Sequence, residues 1–159
     1  MRGGIIHITS KVKSNKSALI SSIKSRLEEA GEEIGERGAK YAVETLRTKY
    51  VAPTHTPRED TGELIASIRH KTAKTDRGVS VAIGSDTPYA MYHETGTGIY
   101  FDPMENTQVT SKGTTTWTYR NRHGEYRTTH GITALHYLRN SIADHSQEYE
   151  KIVFEKLNS

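Results

Sequence analysis

The sequence predicts an α+β fold: a long N-terminal helix and a C-terminal helix packed on a small, mostly antiparallel sheet, with an extended hairpin arm. Three observations lead there. Apolar residues near both ends recur at helical steps of three, four and seven. The segments between them alternate at period two. Strands and helices do not alternate along the chain, which argues against parallel βαβ units. The 159 residues suit one domain, 1–159, with an N-terminal arm over 1–16, a long helix over 17–49 and a loop with its hairpin arm over 102–130.

Each element follows from its residues. Ile5, Ile6 and Ile8 suit a short strand, and Ser17 suits a helix N-cap. Ile20, Ile23, Leu27, Ala30, Ile34, Tyr41 and Leu46 then describe one helical face, with Glu28, Glu29, Glu32, Glu33 and Glu36 over much of the rest. Gly31, Gly35 and Gly38 interrupt this helix, each costing about 1 kcal/mol against alanine. They mark a kink, a close helix contact or a tolerated weak point. Pro53 and Pro57 end helical character and open a loop over 51–62.

Leu64 and Ile68 fit a helical turn as well as a strand. Arg77-Gly78 is a turn signal, and residues 79–84 alternate as a half-buried strand. Residues 88–94 form a second apolar patch, read as a strand, which Gly96 and Gly98 break. Thr115, Trp117 and Tyr119 sit at period two on one arm and Tyr126 and Thr128 on the other, with a turn at 121–124 between them, which predicts a hairpin. Leu135, Leu138, Ile142, Tyr149, Ile152, Val153 and Leu157 restore helical spacing over 132–157.

Composition limits the function. The chain has no cysteine, which removes disulfides, thiolate zinc sites and cysteine nucleophiles. No apolar run is long enough to span a membrane, and the first residues lack the apolar core of a signal peptide, so the chain is expected to stay inside the cell that makes it. A hydrophobic fraction of 33% is low for a free-standing domain. Polar arms outside the core and neighbouring subunits over the surface both account for it. The net charge of +3 describes an ordinary solvated surface.

Catalytic patterns are weak. The eight histidines (His7, His55, His70, His93, His123, His130, His136 and His145) include no metalloprotease pair with an intervening glutamate. On a strand, His93 and Glu94 would point to opposite faces, away from any shared metal. Gly96-Thr97-Gly98 lacks the Lys and Ser/Thr of a phosphate loop and is expected to be a turn at a strand end. Ser67 and Ser141 lack nucleophile-elbow glycines, and Glu59-Asp60 lies in a loop that favours local hydrogen bonds. No catalytic residue, metal ligand or cofactor is assigned. Tyr119, Arg120, Arg122, His123, Tyr126 and Arg127 mix bases with aromatics at the hairpin tip, a composition that suits a phosphate backbone or a protein partner.

Three segments, in order, resemble a known family. The first is Pro57, Asp60, Thr61, Gly62, Leu64 and Ser67; the second is Tyr89, Ala90, Tyr92, Glu94, Gly96, Thr97 and Gly98; the third is Trp117, Tyr119, Gly124, Gly131, Ala134, Tyr137 and Leu138. Together they resemble the minor tail component family of siphophages, also called tail-completion, neck or head–tail joining proteins. The likeness spans about residues 40–145. It departs where His136-Tyr137-Leu138 stands in place of a commoner proline-phenylalanine-leucine.

The resemblance implies a non-enzymatic virion protein, assembled in the host cytoplasm, that forms a homo-oligomeric ring, usually sixfold, between the DNA-filled head and the tail tube. Its partners would be further copies of itself, the connector or stopper, and the tail tube or terminator proteins. DNA in the lumen would touch it without sequence preference, and no membrane is involved. Asp60, Thr61, Gly62, Leu64, Ser67, Tyr89, Ala90, Tyr92, Glu94, Gly96 and Thr97 would carry fold and assembly. Asp60 and Thr61 would bond nearby backbone, and Gly62 would take a conformation closed to other residues. Tyr89 and Tyr92 would be aromatic anchors, with Glu94 a charge at an interface rim. Trp117, Tyr119, Arg120, Arg122, Tyr126 and Arg127 would form an arm against a neighbour or DNA. A DNA-binding regulator and a metal-dependent hydrolase built on the histidines are the alternatives.

Overall fold

A stripe of small residues organises the molecule. The computed structural model describes residues 12–50, 61–102, 116–120 and 123–159. Helix α1 runs over Val12–Tyr50, 39 residues, or about 58 Å at 1.5 Å per residue. It starts well before Ser17, which lies inside it. No Gly or Pro stands between Val12 and Ala30, so nothing stops the helix there.

Gly31, Gly35, Gly38 and Ala42 recur at steps of four and three along one face of α1. Strands β1 (Ile68–Thr75) and β2 (Gly78–Ser85) lie across that face. A Cβ on Gly31 would stand 2.8 Å from Val79 Cγ1; on Gly35 it would meet the His70 ring, and on Gly38 the end of Ile83. The glycines therefore mark a close approach, but to a sheet rather than to a helix, and α1 continues through them.

Helix α2 (Thr61–Ser67) runs directly into β1. Both readings of this stretch hold in turn, since Leu64 is buried on a helix and Ile68 opens a strand. Ser67 marks the switch: its Oγ donates to Leu64 O at 2.7 Å and lies 2.6 Å from Ser85 Oγ. The hairpin is antiparallel, from Ile68↔Ser85 to Thr75↔Gly78, and turns at Asp76 and Arg77.

The patch after β2 forms a helix, α3 (Ala90–Thr95), and not the expected strand. Helical backbone lets Ala90, His93 and Glu94 face inward together, which alternation on a strand forbids. A 3-10 turn, Gly98–Tyr100, follows. Strands β3 (Trp117–Arg120) and β4 (Tyr126–Thr129) form the predicted second hairpin, but as a separate two-stranded sheet. The C-terminal helix is two helices, α4 (Tyr137–Ala143) and α5 (Ser146–Asn158), preceded by irregular backbone from Gly131.

The break between α4 and α5 turns α5 back along α1. His145 at the break stacks on Tyr41, with ring centroids 3.5 Å apart and planes 4° from parallel. Glu148 joins the helices further: Tyr41 Oη donates to it at 2.7 Å, and Arg37 pairs with both Glu148 and Glu33. Hydrogen bonds from Tyr41 and Arg37 hold the Glu148 carboxyl below the usual glutamate value. Lys156 and Arg37 do the same for Glu33. Burial first, then nearby Tyr41 and Glu148, pushes the Tyr149 phenol up to about 12, and its Oη donates to Ser141 O at 2.6 Å.

The core gathers Ala42, Leu46, Leu64, Ile68, Ala90, Leu135 and Tyr137. It thus joins the second half of α1 to α2, β1, α3 and α4. No helix among the described residues is long and apolar enough to cross a membrane.

Candidate assembly site

The second and third motif segments meet at one joint, built largely from backbone. His93 O accepts from Leu135 N at 2.8 Å, Glu94 O from His136 N at 3.1 Å, and Ile132 O from Thr97 N at 2.9 Å. Thr97 Oγ1 accepts from Ile132 N at 3.0 Å, and His130 O accepts from Ile99 N at 3.1 Å. The strands of chain cross so closely that a Cβ on Gly131 would collide with Thr97 O, and one on Gly98 with His130 O. Gly131 also sits at φ 122°, where other residues are strained. Gly96-Thr97-Gly98 is a turn, as expected, but it ends a helix and also holds this crossing.

Glu94 locks the joint. It is 1% exposed, so it is no rim charge. Its Oε2 accepts from Leu138 N at 2.8 Å and its Oε1 from Arg139 N at 3.0 Å. These are backbone donors in the first turn of α4, which otherwise lack intrahelical partners. A carboxylate there satisfies them and complements the positive end of the helix. The work usually done by a local N-cap is done from another helix: His136, the N-cap residue, contributes no side-chain cap and sits at φ 51°. The proline that the resemblance would place at 136 is fixed near φ −65° and cannot adopt this backbone. The departure from the motif therefore falls where the chain enters α4 in an unusual way. His136 Nε2 pairs instead with Asp102 at 2.9 Å.

The remaining motif residues divide into inner and outer groups. Leu64, Ala90 and Thr95 are buried, and Tyr137 beneath them donates to Ala90 O at 3.3 Å. Tyr89 Oη donates to Glu63 at 3.0 Å, which ties α2 to the start of α3. Tyr92 faces outward. Gly62 lies within α2, in helical backbone with open space beside it, so the special conformation expected for it is absent. Thr61 begins α2, while Asp60 lies outside the described residues.

The hairpin arm is exposed on both faces. Trp117 and Tyr119 lie opposite Thr129 and Arg127, and Tyr126, at 76% exposure, opposite Arg120. Arg120 Nε donates to Gly124 O at 3.0 Å, and Arg127 pairs with Glu125 at 2.8 Å. Arg122 lies outside the described residues. The arm has one root in the joint, since Trp117 packs against Gly98.

The histidines do not converge. His70 pairs with Glu32, His136 with Asp102, and His145 stacks on Tyr41, while His93 is buried in α3. Among the described residues, no three His, Asp or Glu side chains gather closely enough to hold a metal ion. The sequence motifs include Gly131 and Glu94, but neither the close crossing at Gly131 nor the capping role of Glu94 was legible in them. Compared with known proteins, the chain matches no family model, no curated protein and no solved structure.

Proposed function

We propose that this chain is a structural virion protein of a tailed bacteriophage, one that forms a ring joining the DNA-filled head to the tail tube. The observation that carries this reading is the coincidence of the second and third motif segments with the joint: residues that carry the resemblance lock α3, the Gly96–Gly98 turn and α4 together. Around this joint and on the hairpin arm, large side chains face outward. Tyr92, Ile99, Tyr100, Trp117, Tyr119 and Tyr126 are all exposed. Apolar and aromatic surface of this extent is characteristic of surfaces that meet other proteins.

A DNA-binding regulator is the second reading, favoured only by the arginines of the arm. Two of these are already engaged, Arg120 with Gly124 O and Arg127 with Glu125, which leaves them less available to phosphates. A salt-sensitive, sequence-selective shift of duplex DNA by the purified chain would favour the regulator. Locating the chain in the intact particle tests the junction reading.

A further inference from the structure

We infer that the first part of α1 docks into an apolar groove on the next copy of the same chain. Residues 16–25 of α1 are exposed throughout. The hydrogen bonds and ion pairs of α1 to other elements, among the described residues, begin at Arg26, which donates to Leu157 O at 2.9 Å, and at Glu28, which pairs with Lys74. This overhang carries Leu19, at 60% exposure, with Ile20 and Ile23, also exposed. Lys16, Ile20, Ile23, Lys24 and Leu27 share one face at helical spacing. A helix end without packing is marginal in water, because most helical stability comes from burying an apolar face. The overhang therefore calls for a covering surface.

Each copy also carries a matching acceptor. Ile34, Tyr149, Glu150, Val153, Phe154 and Leu157 line a shallow groove of about 420 Å³ between α1 and α5. Phe154 is 69% exposed there. The groove is apolar apart from Glu150, which has no ion pair among the described residues. Charge selects the occupant. Residues 16–27 hold Lys16, Lys24 and Arg26 and no carboxylate, whereas the groove carries the carboxylate of Glu150; further along α1, Glu28, Glu32 and Glu33 are already engaged with Lys74, with His70 and with Arg37 and Lys156. A basic apolar helix thus meets an apolar groove that carries the Glu150 carboxylate, and the chain supplies both halves. A protomer cannot fill its own groove. Ile20 lies fourteen residues from Ile34 on one straight helix, about 21 Å away. One donor surface and one acceptor surface per copy is what a head-to-tail ring requires. The inference rests on the ring reading for the number of copies and on the surfaces themselves for the contact.

The absence of cysteine gives a clean test. Ile20→Cys and Phe154→Cys chains are mixed and mildly oxidised, alone and with the virion partners, with Ile20→Cys plus Ser80→Cys as the control pair. A disulfide requires Cα atoms within about 7 Å, so it reports the contact directly. The expected result is an interchain link in the first mixture, several-fold above the control. The double variant should then give a ladder that ends at the ring. Linked dimers alone would support the contact and overturn the ring. Oligomers by native mass without this link would overturn the contact and leave the ring standing. A strict monomer with partners present would overturn both. Ile20→Asp, at an exposed position of the overhang, should abolish association while leaving the helical circular dichroism unchanged.

Discussion

Glu94 places a carboxyl group in the interior, where an unpartnered polar group is costly. Two backbone donors of α4 compensate it, at 2.8 and 3.0 Å. Removing it leaves those part-buried donors without this partner. Glu94→Ala should therefore lower stability by about 1–3 kcal/mol, read as a fall in the thermal midpoint, with Glu94→Gln in between because one acceptor remains. An unchanged midpoint in Glu94→Ala would remove the cap from the account. The glutamate itself was readable as part of a motif, but its role was not. Its partners lie more than forty residues along the chain, and a strand reading of residues 88–94 set His93 and Glu94 on opposite faces. Local periodicity cannot show a contact of that range. Nor could it show that Gly131 must pass against Thr97 O.

Among the elements, α1 was readable because one apolar face runs along most of its length, and the period-two strands because their alternation is regular. The glycines of α1 were ambiguous, since a weak point and a packing site share one signature. Substitution separates them. Gly35→Ala should destabilise, because its methyl group meets the His70 ring. Gly62→Ala, in a helix with open space, should be neutral or stabilising by up to about 1 kcal/mol. Denaturant midpoints of the two variants check this pair, and equal shifts would contradict the packing role. The break between α4 and α5 was hidden, because Leu138, Ile142, Tyr149 and Ile152 continue the helical period across it and neither Gly nor Pro marks it. The His145–Tyr41 stack holds α5 where it folds back. That docking should weaken in acid. Glu148 and Glu33 titrate below their ordinary value of 4.5 in the folded chain, so their contribution is present above that value and is lost as pH falls through the lowered ones. The near-ultraviolet signal of the tyrosines should change in that window, and in Glu148→Gln the change should shrink.

Across the whole molecule, apolar side chains are exposed in three places: the α1 overhang, the α5 groove and the hairpin arm. The low apolar content of the sequence is consistent with this arrangement, because the core is small and spread between elements rather than gathered under one sheet. Composition could indicate that the surface needed covering. It could not indicate which faces, because Leu19, Ile20 and Ile23 continue the same stripe that packs further along α1. Only the end of α5 near Arg26 shows where internal packing stops. The central claim is that these surfaces close a ring between head and tail, and a reconstruction of the intact phage particle tests it most directly. The expected result is a closed ring of this chain around the axis at the head–tail junction, with α1 of each copy against α5 of the next. Mature particles in which the chain is absent from the junction would contradict it.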